Sequence, residues 1–109
     1  MTLKKCIILT AITLFVSTTA WAAGDAKAGA TAYSAKCKTC HGASGEGNAG
    51  MAKAMKWELK HLGDPAVQKR TDADLKKVMG EGVGKMKPVA GLSAGDLDNL
   101  LAFVRTIKK

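Results

Sequence analysis

Aromatic side chains are scarce in this chain, proline is scarcer still, and no apolar run is long enough to cross a membrane. The two prolines, Pro65 and Pro88, stand against twelve glycines, a balance that suits helices joined by glycine-rich loops. No stretch alternates apolar and polar residues for long enough to make a strand, and there is no internal repeat or low-complexity tract. The aromatics are two phenylalanines, two tryptophans and one tyrosine, and Phe15 and Trp21 fall within the first 22 residues. A small domain this poor in large apolar side chains has little core of its own. A large, flat, apolar cofactor would fill its middle.

The N-terminus has the layout of a secretory signal. Lys4 and Lys5 supply positive charge, residues 6–16 form a short apolar run, and Ala20-Trp21-Ala22 is a small-x-small cleavage site. The expectation is cleavage after Ala22, export to the periplasm through the general pathway, and one domain at residues 23–109. The apolar run is shorter than the roughly 20 residues of a spanning helix, so no membrane span is expected after cleavage. Cys6 precedes the apolar run instead of closing it, which argues against a lipoprotein anchor.

Acidic residues are in deficit: 9 against 17 lysines and arginines, for a net charge of +8. Such a surface favours acidic partners and steers them by an attraction that salt weakens. Nucleic acid is not expected, because export argues against it and no aromatics are interleaved with the lysines.

Helix signals recur along the domain. Asp25 caps a first helix running to about Lys36, with Ala26, Gly29, Ala30 and Tyr33 on one face. A glycine-rich loop follows His41, and residues 51–60 read equally as a short helix or an irregular segment. Asp64-Pro65 opens a turn or two through Arg70. Thr71 starts a helix with Leu75, Val78 and Met79 as its buried stripe, stopped by Gly80 or Gly82. Ser93 caps the last helix, with Asp96 in its first turn and Leu97, Leu100, Leu101, Val104 and Ile107 at helical spacing. The fold class is all-α.

Cys37-Lys38-Thr39-Cys40-His41 is the pattern of c-type haem attachment. Two thiols about one helical turn apart reach the two vinyl groups on one porphyrin edge and form thioethers. The adjacent histidine then falls under the ring, within reach of iron. Three duller readings exist. A thioredoxin-like Cys-x-x-Cys needs a βαβ setting that is missing. Zinc would have to combine Cys37, Cys40, His41 and His61 at poor spacing. A plain disulfide between Cys37 and Cys40 is the third.

The chain from Asp25 to its end resembles a small class I c-type cytochrome. The residues carrying the likeness are Tyr33-Ser34-Ala35-Lys36 with the haem motif and Gly42, the Gly80-Glu81-Gly82-Val83-Gly84-Lys85-Met86-Lys87-Pro88 loop, and the closing helix from Leu92-Ser93 to Ile107. The resemblance implies four to five helices around one covalent haem c, single-electron transfer, and methionine as the sixth iron ligand. Met86, in a loop between glycine and proline, suits that role. Met79 sits on a core stripe, Met51 and Met55 form an apolar patch, and His61 is a loop histidine. Gly29 and Tyr33 resemble the pair that packs on the family's last helix, here against Leu100, Leu101 and Val104. Trp57 is a candidate donor to a haem propionate, with plain packing as the alternative. Pro88 is expected to fix the methionine loop and to position a carbonyl for the His41 N–H.

The expected function is a monomeric periplasmic shuttle for single electrons, not an enzyme, since no convincing acid–base pair accompanies the haem. Its expected partners are acidic redox proteins docking at a haem edge lined by Lys36, Lys38, Lys85 and Lys87, which otherwise are a solvated basic surface. The alternative is a dedicated cytochrome subunit of a periplasmic dehydrogenase or reductase complex, for which an exposed Met51-Met55-Trp57 patch would be the docking face.

Overall fold

A computed structural model describes residues 24–109; the signal segment expected at residues 1–22 lies outside the described residues. Six helices follow in order: α1 Ala26–Lys36, α2 Lys38–His41, α3 Ala49–Met55, α4 Pro65–Gln68, α5 Asp72–Glu81 and α6 Ala94–Val104. The family resemblance implied four to five. The additional helix is α2, the four-residue turn of the haem motif, which is too short to show a period. Among the described residues no helix is long and apolar enough to cross a membrane.

The helix starts follow from side-chain caps. Asp25 accepts from the N–H of Lys27 at 2.8 Å, Asp64 from Ala66 at 2.9 Å, and Thr71 from Asp74 at 3.1 Å. Ser93 and Asp96 form a reciprocal capping box, each accepting the other's backbone N–H. Asn48 caps α3 through the N–H of Met51 at 3.2 Å, so the helix begins two residues earlier than the apolar pattern implied. After Met55 the chain leaves the helix through Lys56 in the left-handed region (φ 50°) and runs without helix until α4. The ambiguous stretch is therefore part helix and part irregular.

Helices α1 and α6 form the principal pair. They meet backbone to backbone at Gly29, where an added Cβ would lie 1.9 Å from the Asn99 carbonyl oxygen and 2.9 Å from Phe103 Cβ. Tyr33, one turn on, stacks tilted against Phe103 with ring centroids 4.8 Å apart. Gly29 thus packs on Asn99 and Phe103, while Tyr33 joins the expected Leu100, Leu101 and Val104 with Leu75 and Met79 in one buried cluster. Helix α6 ends at Val104, short of the expected Ile107. Ile107 is nevertheless buried, because its N–H closes a turn onto the Val104 carbonyl and its side chain turns toward Gly45.

Arg105, just past α6, fastens residues 62–72. Its guanidinium donates to the carbonyls of Gln68 and Arg70, both at 2.7 Å, and to Asp72 at 2.7 Å. Gln68 donates in turn to the carbonyls of Leu62 and Val104. Replacing Gly29 by Ala should lower stability by about 1–3 kcal/mol, despite alanine's better helix propensity, because overpacking forces the helices apart. Denaturant unfolding of the purified protein measures it.

Candidate functional site

Cys37 serves both as the C-cap of α1 and as the N-cap of α2, which brings the haem motif off the end of the helix held by α6. The N–H of His41 donates to the Cys37 carbonyl at 2.9 Å, so the five residues make a single tight turn. Gly42 ends it at φ 80°, where a Cβ would collide with the Glu46 carboxylate. The loop then folds back on the motif. The N–H groups of Asn48 and Gly47 donate to the carbonyls of Cys40 and His41 at 2.8 and 2.7 Å. The Tyr33 hydroxyl donates to the Gly42 carbonyl at 2.6 Å. The three carbonyls that end the turn are all engaged, which holds it rigid.

This turn forms one wall of a cavity of about 820 Å³. Its other walls come from α3 and the irregular segment after it (Met55, Trp57, Leu59, Leu62), from α5 (Leu75, Met79), from α6 (Leu100, Val104) and from the loop carrying Val83, Met86 and Pro88. Cys37, Cys40, His41, Trp57, Met86 and Pro88 therefore meet at one cavity. Met55 and Met79 line it too, whereas Met51 and His61 do not. His61 instead accepts the N–H of Gly63 at 2.9 Å. Met51, Met55 and Trp57 are half-buried, so they form no exposed apolar patch. Val83 is the exposed large apolar residue among those described.

Cys37 and Cys40 are free thiols, and among the described residues no group of three or more His, Cys, Asp or Glu converges as a zinc site would require. The Nδ1 atom of His41 is buried without a hydrogen-bond partner. The carbonyl expected from Pro88 does not meet it. The peptide bearing that carbonyl is oriented by the Val89 N–H, which donates to Met79 at 3.0 Å. Burial lowers the basicity of His41, keeping its imidazole neutral and its lone pair free for a metal. Burial raises the Cys37 thiol pKa, with the Lys36 charge opposing and Cys40 reinforcing. A half-buried histidine with its Nδ1 enclosed, beside two free thiols in an apolar cavity of this size, fits a covalently held haem.

The sequence profile of the cytochrome c family matches residues 26–108. The chain belongs to the cytochrome c family. It is 38% identical over 94 residues to cytochrome c-554(547) of Halothiobacillus neapolitanus, a match that spans 79% of this chain and all of that protein. Among solved structures it resembles the KustC0563 c-type cytochrome, with a TM-score of 0.63 and 26% identity over 74% of this chain and 98% of the other. As a cytochrome c it carries covalent haem c, and its all-helical fold is the cytochrome c fold.

The rim of the cavity was only partly legible. Lys36, Lys85 and Lys87 border it, but Lys38 on α2 does not. Lys60 and Arg70 join the rim from the segment that sequence periodicity left undefined. Burial, followed by the charges of Cys37 and Glu46, pushes the Tyr33 hydroxyl up to about 12 from its ordinary 10.0. The folded state therefore holds this proton more tightly, and the stability it contributes is complete below pH 10 and lost as pH rises toward about 12. Tyr33→Phe should lose about 1 kcal/mol at pH 7 for the missing hydrogen bond. Its stability should then decline less between pH 9 and 11 than the wild type's, as denaturant titration at each pH would show.

Proposed function

We propose that this cytochrome c is a monomeric, exported electron carrier of the periplasm rather than an enzyme. Its haem is held by thioethers to Cys37 and Cys40, and its iron by His41 and Met86. The observation that carries the reading is the convergence of these four side chains on one apolar cavity. When bound, the haem iron supplies a reversible one-electron couple.

The chain's own residues set the terms of that exchange. The hydrogen-bonded turn holds His41 with little freedom to move. Apolar walls from α5 and α6 keep water out and lower the local dielectric. Met86 together with His41 would hold the iron at a raised reduction potential and leave no position free for oxygen, which suits transfer of electrons. Met86 is favoured over the other two methionines at the cavity. Met79 is buried in the α5 core, and Met55 ends a helix whose terminal carbonyl is already engaged. Met86 sits on a short loop in which Gly82 and Gly84 take positive φ and can bring its thioether inward. Trp57, at the same cavity, is the candidate donor to a propionate.

Absorption spectroscopy of the ferric protein tests the ligand set. The weak far-red band of iron–methionine ligation should be present in wild type, Met55→Ala and Met79→Leu, and lost in Met86→Ala. Loss in Met55→Ala with retention in Met86→Ala would overturn the assignment.

Electron exchange needs partners, and the cavity rim is suited to acidic redox proteins. Lys36, Lys60, Lys85 and Lys87 line the cavity together with exposed Val83, and Glu58 is the one acidic side chain among its lining residues. Replacing Lys36, Lys60 and Lys87 together by Gln should slow association with an acidic redox protein about tenfold at low ionic strength. The salt dependence of the rate should flatten as well. Stopped-flow electron transfer measures both, and an unchanged rate and salt slope would exclude the docking surface.

A further inference from the structure

The loop bearing Met86 touches the rest of the protein at its tip through one cation and one ring. Val83 and Met86 exchange backbone hydrogen bonds, both 2.9 Å, around the two-residue turn Gly84-Lys85. Lys85 therefore moves with Met86. Its ammonium donates to the carbonyl of Met55 and, at 3.4 Å, to that of Lys56, across thirty residues of sequence. Those carbonyls belong to the C-terminus of α3, where the last acceptors of a helix lack partners within it and the helix dipole favours a cation. Lys56 is the described non-glycine residue held at positive φ, a conformation that persists where its surroundings over-determine it. Beside it, the Gly84 backbone lies on the Trp57 indole, with an added Cβ only 3.4 Å from the ring.

We propose that Lys85 is a positioning residue, a latch that closes the Met86 loop onto α3 and so keeps the methionine over the iron. The inference rests on Met86 being the ligand. Without the latch the loop would still be tied at its far end, where Val89 donates to Met79, but its tip would swing more freely. The latch would act on how often the methionine leaves the iron and opens it to other ligands.

The test is stopped-flow binding of imidazole, a mostly neutral ligand at pH 8, to the ferric holoprotein. Wild type, Lys85→Met and Lys85→Arg are compared at ligand concentrations where opening limits the rate. Lys85 is exposed, so neither substitution disturbs the core. Lys85→Met should bind imidazole about tenfold faster, the effect of losing one charge-assisted hydrogen bond at the surface. It should also lose the far-red band at a lower temperature than wild type. Lys85→Arg, which restores the donors, should return the rate to within about threefold. An unchanged rate in Lys85→Met would overturn the latch, as would equal acceleration in both variants. Absence of the far-red band from the wild type would instead overturn the Met86 assignment on which the latch depends.

Discussion

The close crossing of α1 and α6 at Gly29 is the constraint from which the site follows. With no side chain at that position the two backbones approach until Gly29 rests on the Asn99 carbonyl. The Asp25 N–H then reaches the Asn99 side chain at 2.8 Å, and Tyr33 reaches Phe103. Because α1 runs into Cys37, this crossing sets where the haem motif starts. A bulkier residue at position 29 would shift the motif as well as the interface.

The core built on this crossing is incomplete by itself. Tyr33 is the one aromatic among its fully enclosed members; the rest are aliphatic residues and a methionine. All of these but Leu101 line a cavity where a larger domain would have a packed interior. Covalent haem c resolves the shortage by bringing its own flat apolar surface into the protein. The same burial that stabilises the fold bears on the chemistry, since it lowers the basicity of His41.

The two segments facing the haem are held in different ways. The motif turn is bound by short backbone hydrogen bonds, the Tyr33 hydroxyl and, in the holoprotein, the covalent attachment. The Met86 loop is bound by an exposed ammonium, an indole contact and one backbone bond to α5. The motif turn is thus the more firmly bonded of the two, and the Met86 loop is the place where adjustment costs least.

The chain's local chemistry was legible without coordinates. Asp25, Thr71 and Ser93 mark their helix starts because capping uses side chains within three residues of the N–H groups they satisfy. The haem motif announces itself because both thiols and the imidazole lie within five consecutive residues. What tertiary structure decided were contacts between residues far apart in sequence. It brought Met55 and Met79 to the cavity alongside Met86, buried Ile107 beyond the end of its helix, and exchanged Lys38 for Lys60 and Arg70 at the rim. It also turned Lys85 from a surface charge into a bond between two segments. Periodicity reports which face of a helix is buried, but not which distant segment covers it. That depends on how closely α1 and α6 approach, and a glycine in the sequence does not disclose its partner.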